Sequence, residues 1–267
     1  IHSINAAGSV YEVKPIFERA MASRRTFAVD LPGFGRSDRS DRRYDVALYV
    51  AAIHDMLDEI ARETDEPVDA LAVSLASEFL ARACTQAPGR LRTLALVTPT
   101  GFGRAYHVVP KRQGGTREIP GIYAFCRLPL WSDALFGLLT SRASIRYFLK
   151  RTYGGERIDE GMLDYDYLTT HQPGAKHAPL VFVAGRLFSA DITAIYQELA
   201  LPVWVPHGTR GDFRDFSGAD WARARANWTF EAFATGALPQ FEEPEAFMAA
   251  YERFLAQESS PERSPSP

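Results

Sequence analysis

The sequence is poor in cysteine, has no dominant sign of charge and contains no long apolar run. Only two of its 267 residues are cysteines, Cys84 and Cys126, too few for a disulfide framework and typical of a reducing, cytoplasmic compartment. A net charge of −3 gives no reason to expect nucleic acid as a partner. Without an apolar run of about 18 residues no transmembrane segment is predicted. The composition favours a cytoplasmic globular protein that acts on a small molecule.

Motifs for common cofactors are also missing. The two cysteines lack the spacing of a metal site, and Gly33-Phe-Gly35 lacks the third glycine of a dinucleotide-binding loop. We therefore predict no metal and no cofactor. A paired-carboxylate site formed by Asp212 and Asp215 is an alternative acid–base centre.

The hydrophobic residues, 46% of the chain, are arranged as strands that alternate with helices. This rhythm predicts an α/β protein with a mostly parallel, doubly wound sheet that helices cover on both faces. Buried strands are predicted at 26–30, 68–73, 94–98 and 201–208. Helices are predicted at 10–21, 47–62 and 244–256, and a further helix is predicted after Ser74.

Three domain segments follow from where this rhythm holds. Residues 1–102 and 200–257 are predicted to form the core, and residues 103–199 a helical cap inserted in it. Within the cap, residues 180–185 are expected to be a buried lid segment. The Ser- and Pro-rich residues 258–267 are predicted to be disordered. Because His2-Ser3 has the character of a strand end, further residues are expected before Ile1.

The stretch Val68–Leu80 predicts a strand, a sharp corner at Ser74 and a helix. Apolar residues run almost unbroken to Val73, and beyond Ser74 they recur at helical spacing. The small residues Ala72 and Ala76 flank the serine at two positions on either side. A small-x-Ser-x-small corner is the form of a nucleophile elbow, which exposes the serine at the end of a strand.

Further segments resemble the α/β-hydrolase superfamily. Asp30-Leu-Pro-Gly-Phe-Gly-Arg-Ser37 is similar to the Asp-x-Pro-Gly-x-Gly-x-Ser loop of that superfamily, and His2-Ser3-Ile4 lies where its members have His-Gly-x. The resemblance implies an α/β-hydrolase fold with a cap over the substrate. It also implies that Ser74 is the nucleophile and that the backbone N–H groups of Ile4 and Leu75 form the oxyanion hole.

The acid and the base of the expected triad depart from the superfamily pattern. Asp212 follows a strand in Gly208-x-x-x-Asp212, one residue longer than usual, and is implied to be the acid. Gly236-Ala-Leu-Pro-Gln-Phe-Glu-Glu-Pro-Glu245 is similar to the turn that carries the catalytic histidine, yet that position is Ala237. Since alanine cannot accept a proton, Ser74 lacks its expected base.

Three interpretations of the missing histidine remain open. In the first, His207, at the end of the strand before Asp212, replaces the base, whereas His2 orders the oxyanion loop. The other histidines are expected to be surface, packing or structural residues: His54, His107, His171 and His177. In the second, a substrate group or water transfers the proton, as in non-hydrolytic lyase-type members. In the third, the protein is a pseudoenzyme that binds a ligand without turnover.

These motifs together predict a serine hydrolase that acts on an ester or related acyl bond. A small, fairly apolar substrate is expected because the cap segment is rich in aromatic residues, which either face the substrate or pack the cap on the sheet. These residues are Phe125, Trp131, Phe136, Tyr147 and Phe148.

Overall fold

The centre of the molecule is a parallel β-sheet. The computed structural model describes residues 1–104 and 115–259, and this part contains four strands in the spatial order β1, β2, β3, β4. The strands are β1 (Val68–Val73), β2 (Leu91–Val97), β3 (Val203–Gly208) and β4 (Trp228–Phe233). Strands that are parallel and joined by helices make the α/β class predicted from the alternation.

Helices connect and flank these strands. The first, α1, begins with a proline in its first turn, and Asp45 caps α2 by accepting a hydrogen bond from the Leu48 N–H at 2.9 Å. After a 3₁₀ turn at Val10–Val13, the helices of the described ranges are α1 (Lys14–Ala20), α2 (Val46–Ala61), α3 (Ala76–Gln86), α4 (Ile122–Cys126), α5 (Ser132–Leu139), α6 (Arg142–Tyr153), α7 (Glu160–Thr170), α8 (His177–Val183), α9 (Ile192–Glu198), α10 (Asp220–Arg223), α11 (Pro239–Glu242) and α12 (Pro244–Ser259).

Each face of the sheet is covered by its own hydrophobic core. Along β2, Leu94 and Leu96 belong to a core that includes residues of α2 and α3. Ala95 and Val97 belong to the other core, which includes residues of α1 and α12. Successive side chains of a strand point to opposite faces, so the unbroken apolar run in β2 reflects burial on both sides. This confirms the predicted doubly wound arrangement.

The predicted strand at residues 26–30 is wrong. These residues form no strand in the structure, and Phe27 is exposed. A strand needs a partner for its backbone groups, and the edge of β1 is occupied by Ile1. The Ile1 nitrogen donates to the Leu71 carbonyl at 2.7 Å, and the Val73 N–H donates to the Ile1 carbonyl at 3.1 Å.

Other boundaries also differ from the predictions. Residues 180–185 were expected to be a buried lid segment, and in the structure α8 covers residues 180–183. Helix α12 extends to Ser259, beyond the core boundary predicted at residue 257. Residue His107 and the tail residues 260–267 lie outside the described residues. In the described ranges, no helix is both long and apolar enough to cross a membrane.

Candidate active site

Ser74 lies at a strained corner between β1 and α3. Its φ angle is +54°, a left-handed conformation that costs about 1–2 kcal/mol for a residue with a Cβ atom. Two hydrogen bonds hold the corner: the Ser74 N–H donates to the Val97 carbonyl at 2.8 Å, and the Ser77 N–H donates to the Ser74 carbonyl at 3.1 Å. Ala72 and Ala76 are both fully buried. The geometry is that of a nucleophile elbow.

A cavity of about 550 Å³ brings together most of the residues singled out in the sequence. The residues Ser74, Ile4, Leu75, Asp212 and Ala237 all line it, although they come from four separate segments of the chain. Most of the remaining lining is apolar: Val73, Leu139, Ile145, Phe148, Leu149, Met162, Phe182, Val183, Phe188, Phe213 and Leu238. A cavity of this size and character suits a small, largely apolar ligand.

The backbone N–H groups of Ile4 and Leu75 are available beside Ser74. Neither donates a hydrogen bond to another described residue. The loop of Ile4 is held by Glu12, whose carboxylate accepts from the Ser3 N–H at 2.6 Å and from the Ser3 hydroxyl at 2.9 Å. Two free donors on a fixed backbone can stabilise negative charge on a ligand oxygen.

His2 is buried and holds a neighbouring loop. Its Nε2 accepts a hydrogen bond from the Leu31 N–H at 2.9 Å. Burial lowers the pKa of His2 to about 4, with the charge of Asp30 acting in the opposite direction. A neutral imidazole that accepts at Nε2 links the start of the Ile4 loop to Leu31, and the ordering of the oxyanion loop by His2 stays a prediction.

Asp212 is paired with an arginine. The Nε–H of Arg151, near the end of α6, donates to the Asp212 carboxylate, and its Nη1 donates to the Tyr147 hydroxyl at 3.0 Å. These hydrogen bonds raise the pKa of Arg151. The Asp212 side chain is 43% exposed, so this carboxylate lies at the mouth of the cavity. The partner of the Asp212 carboxylate is thus Arg151, a cation on one of the helices between β2 and β3.

The turn that carries Ala237 is tied to three other elements. The Ala237 N–H donates to the Thr152 carbonyl at 2.8 Å, and its carbonyl accepts from the Thr98 hydroxyl at 2.8 Å. The Gly236 N–H donates to Glu242 Oε1 at 2.6 Å, so Glu242 at the end of α11 supports this turn. The turn is thus rigidly built although its side chain carries no proton acceptor.

His207 lies in an aromatic cluster. Its ring centroid is 4.4 Å from that of Phe216 and 6.3 Å from that of Phe230. Burial lowers the pKa of His207, and its Nδ1 has no hydrogen-bond partner among the described residues. It does not line the Ser74 cavity. The geometry favours a packing role over the predicted role as replacement base.

The remaining described histidines also lie elsewhere. His54 Nε2 is 3.1 Å from the Gln86 side-chain oxygen, His171 Nδ1 is 2.7 Å from the Tyr167 carbonyl, and His177 Nδ1 is 3.6 Å from Asp41. Of the residues that the structure describes, no histidine lines the cavity. Within the same ranges no group of three or more His, Cys, Asp and Glu side chains could hold a metal ion.

Comparison with known families decides how this arrangement is classified. A family model described as the alpha/beta hydrolase family matches residues 1–250. The chain belongs to the alpha/beta hydrolase family. A comparison with curated proteins finds no match.

Several solved structures are similar to this alpha/beta hydrolase. One is Cfl2 from Burkholderia cenocepacia, with 19% identity, a TM-score of 0.69, and coverage of 92% of this chain and 84% of that one. A second is CarC, a serine hydrolase involved in carbazole degradation, with 18% identity, a TM-score of 0.70, and coverage of 96% of this chain and 89% of that one. A third is the esterase EaEST from Exiguobacterium antarcticum, with 14% identity, a TM-score of 0.70, and coverage of 92% of this chain and 87% of that one. Identities this low show a common fold.

The aromatic lining of this hydrolase differs from the residues singled out in the sequence. Phe148 lines the cavity, whereas Phe125 and Tyr147 are largely exposed and Phe136 is buried outside the lining. The sequence reasoning missed three aromatic residues that do line it: Phe182, Phe188 and Phe213. Phe182 would have been found if the apolar run after His177 had been interpreted as helix α8.

Two buried carboxyl groups of the cavity were also missed. Glu12 and Asp166 line it and are each only 6% exposed. The signal in the sequence that could have pointed to them is an acidic residue on the apolar face of a segment with helical periodicity. Their neighbours come from distant parts of the chain, so the sequence alone does not bring the two acids together.

Proposed function

We propose that this alpha/beta hydrolase attacks an ester or related acyl bond of a small, fairly apolar molecule through Ser74. One observation carries the proposal: a serine at φ +54° lines a cavity of about 550 Å³ together with the unbonded N–H groups of Ile4 and Leu75. A strained serine conformation beside two free donors suits acyl transfer.

In the proposed reaction the Ser74 oxygen forms a bond to the carbonyl carbon of the substrate. The carbonyl π electrons move to its oxygen, which the Ile4 and Leu75 N–H groups stabilise. The C=O bond re-forms as the C–O bond to the leaving group breaks, and the leaving oxygen takes a proton from water or from the group that accepted the Ser74 proton. A water molecule then hydrolyses the acyl-enzyme. The hydroxyl proton of Ser74 passes to water or to a basic group of the substrate, because no described histidine lines the cavity. Without an imidazole base the rate falls by several orders of magnitude.

We assign residues 1–102 and 200–257 as the catalytic core and residues 103–199 as a cap. The order of the elements supports this division, since α4 to α9 all lie between β2 and β3. Four of these helices contribute to the cavity lining, among them α6 with Phe148 and Leu149. A cap in this position would determine the shape of the substrate.

A second candidate function is ligand binding without turnover. The ion pair between Arg151 and Asp212 favours it, because the carboxylate that would orient a histidine is already engaged. In this case Ser74 and the free N–H groups hold a ligand oxygen and no bond is broken.

Labelling with a fluorophosphonate distinguishes the two functions. A serine hydrolase is expected to react covalently, and Ser74→Ala is expected to abolish the adduct, which mass spectrometry locates on the peptide. Ser23→Ala is the control, because Ser23 is exposed and does not line the cavity. An unlabelled protein that still binds small esters would establish the ligand-binding function instead.

A further inference from the structure

One part of the Ser74 cavity carries two buried acids that form no ion pair with a basic side chain of the described residues; of the two, the Ile1 ammonium group acts on Glu12 alone. Asp166, on α7, and Glu12, in the 3₁₀ turn, both line the cavity and are each more than nine-tenths buried. The proposed reaction at Ser74 uses neither of them. Buried carboxyl groups are normally paired or fully hydrogen-bonded, so their surroundings indicate what this part of the cavity binds.

The two acids differ in how well their oxygens are satisfied. Glu12 accepts hydrogen bonds from the Ser3 N–H, the Ser3 hydroxyl and the Asn5 amide, at 2.6, 2.9 and 2.9 Å. Asp166 Oδ1 is buried and has no hydrogen-bond partner in the described part of the chain. Since Asp166 also lines the cavity, its under-satisfied carboxyl group is a position at which a ligand could place a donor.

The charges around Asp166 are all of one sign. Burial raises its pKa well above the ordinary value, and the charges of Glu12 and of Asp159 raise it further. The phenols of Tyr11 and Tyr153 also feel the charge of Asp166, and burial raises their pKa values too. No basic side chain of the described residues contributes to Asp166. The site therefore favours a positive charge that a ligand supplies.

We propose that Asp166 and Glu12 bind a protonated amine of the ligand, whose apolar body occupies the rest of the cavity. The ammonium group would donate to the Asp166 carboxylate and neutralise the acidic pair. Lining residues such as Leu149, Met162 and Phe188 would contact the apolar body. This inference rests on the proposed function only in placing the substrate in the same cavity, and it defines that substrate as an amine-bearing one.

Binding to the Ser74→Ala variant tests the proposal without turnover. The probes are phenethylammonium and 2-phenylethanol, which differ chiefly in an ammonium in place of a hydroxyl group. Isothermal calorimetry at pH 7.5 is expected to give at least about tenfold tighter binding of the amine. In buffers of different ionisation enthalpy, amine binding is expected to release protons, since the carboxyl that is protonated in the free protein loses its proton.

Substitution of Asp166 tests whether this carboxyl group causes the preference for the amine. In the same Ser74→Ala background, Asp166→Asn is expected to reduce the preference for the amine to less than about twofold and to remove the proton release. Asp164→Asn is the matched control on α7, because Asp164 is exposed and paired with Arg142, and it is expected to keep both. Glu12→Gln is a second variant, expected to weaken amine binding, for use where Asp166→Asn does not fold.

Three results would overturn the proposal. The first is equal affinity for the amine and the alcohol, and the second is no measurable binding of the amine at a probe concentration of about 10 mM. The third is an unchanged preference for the amine in Asp166→Asn. Failure of the hydrolase proposal is recognised separately. If Ser74 is not labelled by fluorophosphonate but the amine preference is present, only the hydrolase activity is lost. If Ser74 is labelled and the amine preference is absent, only the amine site is lost.

Discussion

The corner at Ser74 and the turns that carry Asp212 and Ala237 reach the same cavity but differ in completeness. At Ser74 the strained backbone, the buried small neighbours and the free N–H donors are all present. At the Ala237 turn the backbone is also held by hydrogen bonds, but Ala237 has no proton acceptor, and Asp212 is paired with Arg151. The supporting backbone is thus present at Ser74 and at the Ala237 turn, whereas the side chain that would accept the proton is missing from the latter.

This contrast shows that a rigid turn and a catalytic side chain are separate requirements. The Ala237 turn is shaped by contacts of its backbone with Thr152, Thr98 and Glu242. None of these contacts needs a histidine side chain at position 237. The turn can therefore persist without the base, and restoring the base tests whether the rest of the site is still competent.

The largest effect is expected from restoring the base. Ala237→His alone is expected to raise ester hydrolysis modestly, because Arg151 competes for Asp212. With Arg151→Met added, Asp212 is free to orient the imidazole, and kcat/KM for p-nitrophenyl butyrate is expected to rise about 10³-fold over the wild type. Arg151→Met alone is the control and should give no gain. A folded double variant that is no faster would show that the Ser74 half is not competent.

A backbone change at the same turn is expected to cost several kcal/mol of stability. A Cβ atom on Gly236 would lie 2.4 Å from the Thr152 carbonyl oxygen and 2.5 Å from the Tyr153 Cα. Gly236→Ala is therefore expected to lower the free energy of unfolding by about 3 kcal/mol or more, as measured in urea. Gly137→Ala is the control, because its Cβ would meet nothing within 4 Å and helix α5 should gain slightly. Equal stabilities would contradict the close approach.

A pH-dependent change is expected at Glu78, on the first turn after the elbow. Glu78 accepts from the Thr100 hydroxyl at 2.5 Å and from the Ser189 N–H at 2.8 Å. Burial raises the pKa of Glu78 from 4.5 to about 7. Its neutral form therefore contributes stability that is complete below pH 4.5 and is lost as the pH rises through about 7.

Glu78→Gln should remove this loss. Relative to the wild type, the variant is expected to gain about 3 kcal/mol in the free energy of unfolding between pH 4 and pH 8. Urea unfolding across this range is the measurement, with the exposed Glu252→Gln as a control that should follow the wild-type profile. A parallel profile for Glu78→Gln would mean that this carboxyl is not the one that titrates.

The smallest effect concerns the strain at Ser74 itself. Both Ser74→Gly and Ser74→Ala remove the hydroxyl, but only glycine adopts φ +54° without steric cost. Ser74→Gly is expected to be about 1 kcal/mol more stable than Ser74→Ala by thermal unfolding. At Ser77, inside α3, the order should reverse because alanine favours a helix. The same order at both positions would argue against strain at the elbow.

Local pattern allowed much of the fold to be predicted. The apolar run before Ser74 and the helical spacing after it correspond to β1 and α3, because burial on one or two faces imposes these periods. The failure at residues 26–30 has a different origin. A strand depends on a hydrogen-bonding neighbour, and at the β1 edge that neighbour is Ile1, which no local pattern predicts.

The candidate site was predictable in its backbone and less so in its side chains. The sequence by itself determined the corner at Ser74, the loop at Ile4 and the absence of a histidine at Ala237, because small residues and turn residues act locally. Only the tertiary structure decided that Arg151, 61 positions before Asp212, pairs with it, and that Asp166 lies in the same cavity as Glu12. Such contacts join distant segments, so they depend on how the helices pack on the sheet.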